Sequence, residues 1–342
     1  MVRCIMKRYK KEIHLSSFDN LTVSLYLIGY KNIGESIVVL FKDVAGDENK
    51  VVFSFVIDCY KKEGLFLTKK ILEDNGVTAL DMVCWTHPHC DHTPGIDEIV
   101  NDYFKPDMWF FMPKFYFGNL NPDLLKTESA FTQEANMSLE NILKKKDKES
   151  NVRKTIIGNG DITTHFPVKM VTDDGRCRDL DFYFLTPCGR LIDKYVLKGN
   201  EINRPNDLSI SFIMSLDGYD FFFGGDTEND HAGDIEKELI KNMRWIKVPH
   251  HCSKGAEVIC DNIGPYFDFA VSTVYTSSGL PDEDIQKKYI KNGRRLFMTQ
   301  LKNMALEQEY GVVQFNYSFR DDQILVDIHT FGNAHEYISS NS

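Results

Sequence analysis

The run Thr86-His87-Pro88-His89-Cys90-Asp91-His92 follows directly on the apolar stretch Met82-Val83-Cys84-Trp85 and gathers three imidazoles and one carboxylate within six residues. In extended backbone, side chains two residues apart point the same way. His87 and His89 therefore converge on one cation, while Asp91 and His92 lie just beyond it, able to serve a second. Neutral imidazole nitrogens and carboxylate oxygens are the donors that zinc, manganese and ferrous iron accept, and a site using only some positions leaves room for water. Open coordination of that kind belongs to catalysis rather than to structural staples. The fold must then bring a buried strand end to a cleft and supply further ligands from elsewhere in the chain.

Two later segments have the form of such suppliers. In Tyr219-Asp220-Phe221-Phe222-Phe223-Gly224-Gly225-Asp226-Thr227 an aromatic strand runs into a glycine pair and then an acid. Glycines allow a tight turn and close backbone approach, which leaves Asp226 at the strand's carboxyl end, facing a cleft and able to bridge two cations. In Trp245-Ile246-Lys247-Val248-Pro249-His250-His251-Cys252-Ser253 an apolar strand ends at a proline, which stops pairing and fixes the exit direction, and then at a histidine pair. One of those imidazoles serves as a ligand while the other hydrogen-bonds substrate or a leaving group.

Taken in this order, the HxHxDH cluster, the strand ending in Gly-Asp and the strand ending in His-His resemble the metallo-β-lactamase superfamily of hydrolases. Phe184-Leu185-Thr186-Pro187, Asn206-Asp207-Leu208-Ser209-Ile210-Ser211, Phe223-Gly224-Gly225-Asp226 and Lys247-Val248-Pro249-His250-His251 are most similar to the metallo-hydrolase domain of bacterial competence DNA-uptake proteins and its soluble relatives. The resemblance extends from about residue 21 to about residue 275. It implies two divalent metal ions, zinc foremost with manganese or iron as alternatives. His87 and His89 would ligate the first, Asp91, His92 and His250 the second, and Asp226 would bridge them. His251 is left to a supporting or directly catalytic role. Two positions depart from the pattern. Thr186 stands where many relatives have a further histidine ligand, with His165 as a substitute in the same interval, and Cys252 stands where a glycine usually follows the histidine pair.

The function implied is a metal-dependent hydrolase, foremost a phosphodiesterase acting through a metal-bound hydroxide on a nucleotide or a short or single-stranded nucleic acid. Asp91 would ligate and orient the nucleophile, and His251 would protonate the leaving oxygen. Hydrolysis of a thioester, lactone or β-lactam is the alternative within enzymes. A non-catalytic metal-binding interaction module is the alternative outside them.

Read with the resemblance, the alternation of elements implies an α+β fold, a four-layer αββα sandwich forming one domain over residues 1–342. It carries an inserted helical segment at about 114–175 and a strand-rich C-terminal extension at about 276–342. Strands are expected at Leu21–Gly29, Ser36–Lys42, Val51–Cys59, Ala79–Trp85, Met108–Pro113, Asp181–Thr186, Ser209–Leu216, Tyr219–Gly224, Trp245–Val248, Phe267–Val274 and Arg295–Thr299. A final hairpin is expected through Gly311–Tyr317 and Gln323–Thr330. Helices are expected at Leu65–Asn75, capped by Gly76, at Pro94–Tyr103, Thr127–Lys148, Ala232–Met243 and Glu283–Lys291. The insertion, with its aromatic Phe115-Tyr116-Phe117, is placed to cap the cleft or to form the subunit contact of a homodimer.

Composition narrows the partners. An apolar fraction of 42% over 342 residues builds a full core. No run reaches the roughly 18 uncharged apolar residues of a membrane span. The basic start of the chain lacks a following apolar stretch, and eight cysteines without regular spacing read as reduced thiols, so a cytoplasmic location is expected. Cys90 and Cys252, inside the ligand motifs, read as lining residues. A net charge of −10 opposes bulk attraction to a polyanion yet permits a phosphorylated substrate at a metal centre, where the ions supply local positive charge.

Overall fold

The computed structural model describes residues 11–45, 48–113, 134–135, 137–142, 155–156, 164–187, 205–291, 294–301 and 308–338. The chain enters through β1 (Lys11–Leu15) and makes an antiparallel meander of β2 (Leu21–Tyr30), β3 (Ile33–Ala45) and β4 (Glu48–Ile57). Asn32 and Gly34, with φ of 71° and 98°, turn the chain between β2 and β3. Helix α1 (Leu67–Asp74) buries Leu67 and Leu72, takes its first N–H onto the Tyr30 hydroxyl at 3.1 Å, and ends at Gly76 with φ of 66°, as predicted. β5 (Met82–Cys84), α2 (Ile96–Asp102), β6 (Trp109–Phe111) and β7 (Thr155–Ile156) follow, the three strands adding in parallel to β4.

The second half is built the same way. β8 (Thr164–Thr172), β9 (Cys177–Phe184), β10 (Phe212–Leu216) and β11 (Tyr219–Phe223) are mutually antiparallel. β12 (Trp245–Lys247), β13 (Phe269–Ser272) and β14 (Arg295–Met298) then add in parallel. Helices α3 (Asn229–Ala232), α4 (Lys237–Ile240), α5 (Glu257–Asn262) and α6 (Glu283–Ile290) connect these strands. β15 (Tyr310–Phe319), β16 (Ile324–Gly332) and β17 (His335–Glu336) complete the chain.

Two mixed sheets result, one in the order β16-β15-β2-β3-β4-β5-β6-β7, the other β1-β8-β9-β10-β11-β12-β13-β14-β17. Alternation along the strands divides the core into three layers. Phe41, Phe53 and Phe55 of one sheet face Phe182, Phe212 and Phe223 of the other. On the outer face of the first sheet Val38, Leu40, Val56 and Val83 pack against Leu72 of α1 and Ile96, Ile99 and Val100 of α2. On the outer face of the second, Phe222, Ile246 and Ala270 pack against Ile259 of α5 and Ile285 and Tyr289 of α6. Helices thus cover both outer faces of a two-sheet α+β sandwich. Among the described residues no helix is long and apolar enough to cross a membrane.

Three expectations change. Residues 164–172, counted with the insertion, form β8, a full strand between β1 and β9. The C-terminal strands join the sheets: β15 pairs with β2 through ten residues and β16 lies at the edge beyond it. The helix expected over 232–243 divides into α3 and α4, because the chain turns at Gly233-Asp234 while still burying Ile235, Ile240 and Met243. The expected helix at 127–148 lies largely outside the described residues, as does Phe115-Tyr116-Phe117.

Phe55 is fully buried and its ring meets those of Phe41, Phe53, Phe182 and Phe223 at centroid distances of 5.6 to 6.4 Å. Phe55→Ala should therefore cost about 3–5 kcal/mol of unfolding free energy, read from the midpoint of urea denaturation. A loss below about 1 kcal/mol would mean that the two sheets do not depend on this contact.

Candidate metal centre

Parallel strands deliver the site. β4, β5, β11, β12 and β13 all point their carboxyl ends to one edge of the sandwich, the usual position for ligands on such sheets. There β4 presents Asp58, β5 leads into His87–His92, β11 into Asp226, β12 into His250 and His251, and β13 into Thr273. Gly224 and Gly225 are required by space. A Cβ on Gly224 would lie 2.5 Å from Pro249 Cγ, and one on Gly225, at φ of 49°, would lie 2.5 Å from Ser209 Oγ. The backbone of Asp226 can then approach close enough to donate its N–H to Ser209 Oγ at 2.8 Å. After Pro249, three consecutive residues, His250, His251 and Cys252, take left-handed backbone with φ of 48°, 49° and 65°. For side chains other than glycine this costs about 1–2 kcal/mol per residue and marks a conformation imposed by its surroundings.

Hydrogen bonds fix which nitrogen of each imidazole faces the centre. Asp58, fully buried, accepts the Thr86 N–H and hydroxyl, both at 2.6 Å, and His92 Nδ1–H at 2.7 Å. With its one proton committed to Asp58, the Thr86 hydroxyl can only accept from His87 Nδ1, at 2.9 Å. The same relay recurs across the cleft: Thr273 donates to Glu35 Oε2 at 2.6 Å and accepts from His251 Nδ1 at 2.7 Å. Nε2 of His87, His92 and His251 is therefore the inward atom of each ring, and as neutral imidazoles all three carry lone pairs there.

Those atoms meet the two carboxylates. His251 Nε2 lies 2.9 Å from Asp91 Oδ2 and 3.4 Å from Asp226 Oδ2. His92 Nε2 lies 3.4 Å from Asp91 and 3.5 Å from Asp226, and His87 Nε2 is 3.8 Å from Asp226 Oδ2. His89 Nδ1 is 2.7 Å from Asp91 Oδ1. Among the described residues four overlapping groups have their donor atoms within 4.8 Å of one another, Asp91-His92-Asp226-His251, His87-His89-Asp226, His89-Cys90-Asp91 and Glu35-Asp58-His92, and the first two adjoin and share Asp226. The buried Nε2 atoms of His87, His92 and His251, both oxygens of Asp91 and Oδ1 of Asp226 have no hydrogen-bond partner. Acceptors facing acceptors in a buried site need a cation between them. This donor set fits metal.

The electrostatics agree. Around the centre, Glu35, Asp58, Asp91 and Asp226 are buried with one buried cation, Lys247, which sits 2.6 Å from Glu35 Oε1, donates to Gly225 O at 2.9 Å and lies 3.7 Å from Asp226. Burial works against charge on Lys247, yet Glu35 and Asp226 outweigh it and raise its pKa. Burial likewise works against His251, but the adjacent carboxylates of Asp226 and Asp91 push it up to about 9. His92 is also raised, its desolvation overcome by Asp91, Asp226 and Asp58. His87 goes the other way: burial, and then the proximity of His92, hold it well below the usual range. Protons on His251 and His92 can thus partly substitute for metal, but neutral His87 still presents a lone pair to Asp226.

One predicted ligand is displaced. His250, expected beside Asp91 and His92, lies outside all four groups. Its Nε2 is 3.3 Å from Asn206 Nδ2 and its Nδ1 3.5 Å from Glu228 Oε1, at a side-chain exposure of 21%. His251 is the ring of the pair that lies within these groups, turned inward by the left-handed backbone and the bond to Thr273. Thr186 is spent structurally, donating to Ser209 O at 2.7 Å and accepting from the Ser211 N–H at 2.8 Å. His165 is at the start of β8, opposite Tyr183, where it is bonded to Asp181 at 2.7 Å and stacked on Tyr183. Cys252 packs into the helix-side core. Cys90 is half-buried 3.8 Å from the Tyr275 hydroxyl, and burial pushes its thiol up to about 11, which disfavours the thiolate a metal would need. Glu35, Asp58, Lys247 and Thr273 join the site with no role assigned to them by the motifs. The available signal was a lone charge in an apolar run, as in Trp245-Ile246-Lys247-Val248 and Phe55-Val56-Ile57-Asp58.

No family model matches the sequence, and no curated protein is significantly similar to it.

Two results are expected. A cation must displace the proton that metal-free protein holds on His251 below about pH 9. Apparent metal affinity should therefore climb by roughly tenfold per pH unit for each proton displaced, levelling above that pH. The sign for the metal-free protein is opposite: stabilisation from protonated His251 is complete below about 6.5 and lost as pH rises through about 9. Titration calorimetry in buffers of different ionisation enthalpy reads the released protons, and a pH-independent affinity would contradict the assignment. Separately, Asp58→Asn should weaken metal binding by roughly 10- to 100-fold without removing a donor atom from the centre.

Proposed function

We propose that this chain is a metal-dependent phosphodiesterase of the metallo-β-lactamase superfamily, holding two divalent ions with Asp226 between them. The observation that carries the reading is the sharing of Asp226 by two adjoining donor groups, in which the buried Nε2 atoms of His87, His92 and His251, both oxygens of Asp91 and Oδ1 of Asp226 lack hydrogen-bond partners. His87, His89 and Asp226 would hold one ion, and Asp91, His92, His251 and Asp226 the other. Imidazole and carboxylate donors favour zinc, with manganese or iron accepted by the same set. Bound ions supply an acidified water and polarise a substrate oxygen.

The protein's own groups do the rest. Asp58 and Glu35, through Thr86 and Thr273, hold three rings at fixed tautomer and angle. Lys247 offsets part of the buried negative charge behind Asp226. His250 sits at the partly exposed rim beside Asn206 and Glu228, and burial holds its pKa below the ordinary imidazole value, so the neutral ring is suited to take a proton from an attacking water. Beside Cys90 and Pro94 a cavity of about 640 Å³ is lined by Tyr60, Lys61, Lys62 and Phe66. Glu63, Glu98 and Glu134 line it too, and Lys61 and Lys62 pair with Glu98 and Glu309, so the preference for a phosphodiester rests on the sequence resemblance and not on this cavity. Six free cysteines among the described residues accord with a reducing compartment such as the cytoplasm.

The reading is tested with bis-p-nitrophenyl phosphate, a thioester and a lactone, each assayed with zinc, manganese and iron. Phosphodiester turnover should dominate and vanish with chelator. Asp226→Ala and His251→Ala should lose metal and turnover together, whereas His250→Ala should keep its metal and lose roughly 10²- to 10⁴-fold in kcat. Preferred cleavage of thioester or lactone would move the protein to another hydrolase class. Bound metal with no turnover of any substrate would favour an interaction module.

A further inference from the structure

β16 ends the first sheet and, among the described residues, pairs with β15 alone. Its inward side chains Ile324, Val326 and Ile328 pack on the inter-sheet core. Its outward ones, Leu325, Asp327, His329 and Phe331, are exposed, with Leu325 and Phe331 at 50% and 47%. Free edges of this length are ordinarily blunted by charged side chains, lysine above all, by proline or by a bulge, and Asp327 is the single acid on this one. The nine residues Ile324–Gly332 contain neither lysine nor proline, and their register with β15 runs unbroken.

The outward order, apolar, acid, imidazole, apolar, is complementary to itself when reversed. In an antiparallel pair centred on Ile328, Leu325 stands opposite Phe331 of a second copy and Asp327 opposite His329 of that copy, each contact occurring twice. The imidazole already bonds Asp327 of its own strand at 2.7 Å, so the axis would gather two carboxylates and two imidazoles into one group. Registers centred nearer the start of the strand lose this match. Centring on Asp327 sets carboxylate against carboxylate, centring on Val326 sets Leu325 against Asp327, and a centre between residues opposes inward to outward side chains. We propose that β16 pairs with β16 of a second copy in this register, so that the two first sheets become one continuous sheet across a homodimer. The interface lies on β16 rather than on the insertion and is independent of the metal centre.

Sedimentation velocity over a micromolar concentration series tests this. The wild-type chain should sediment at twice the monomer mass. His329→Asp, which opposes two carboxylates at both symmetric positions, should weaken association roughly tenfold or more, and Leu325→Lys should do likewise. The exchanged pair Asp327→His with His329→Asp restores the pattern and should restore the dimer. Circular dichroism, unchanged in all variants, confirms that the fold is kept. A monomeric wild type, a dimer indifferent to both single changes, or an exchanged pair no better than His329→Asp would overturn the proposal.

Discussion

Asp58 is the constraint on which the site rests. A single buried carboxylate at the end of β4 ties down the backbone and hydroxyl of Thr86 and the ring of His92, and through Thr86 it reaches His87. One group from the meander half of the sheet thereby orients two rings of the loop after β5. Its φ of 53° and complete burial are costs that a surface residue would not bear, and desolvation raises its pKa against the pull of His92. Glu35 repeats the device from β3 across the cleft, acting through Thr273 on His251 and directly on Lys247.

Burying so many ionisable groups opposes folding unless they are paired. Four carboxylates against one ammonium leave three negative charges in excess when the imidazoles are neutral. Protons on His251 and His92 relieve part of that excess, and divalent cations relieve it without leaving His87 facing a bare carboxylate. The aromatic layer between the sheets gives the scaffold stiff enough to hold this arrangement, since Phe55 and Phe223 stand on the strands that end at Asp58 and Asp226.

Much of this was legible in the sequence because the relevant patterns are local. The HxHxDH run follows a buried strand, the Gly-Gly pair precedes Asp226, and Gly76 ends α1, each for a steric or coordination reason confined to a few residues. What was not legible depended on the third dimension. Nothing in His250-His251 says which ring turns inward; that is decided by left-handed backbone and by Thr273, more than twenty residues away. Glu35 and Lys247 meet only because the start of β3 and the end of β12, from different sheets, lie near one another. β15 looked like an appendage because its partner, β2, lies nearly three hundred residues earlier.

The most direct test is anomalous diffraction from crystals grown with zinc or manganese. Two peaks are predicted, one on each side of Asp226, with His251 Nε2 as a ligand of the one that also takes Asp91 and His92. A peak ligated by His250 in place of His251, or no ordered metal between Asp226 and the rings of His87 and His92, would contradict the account.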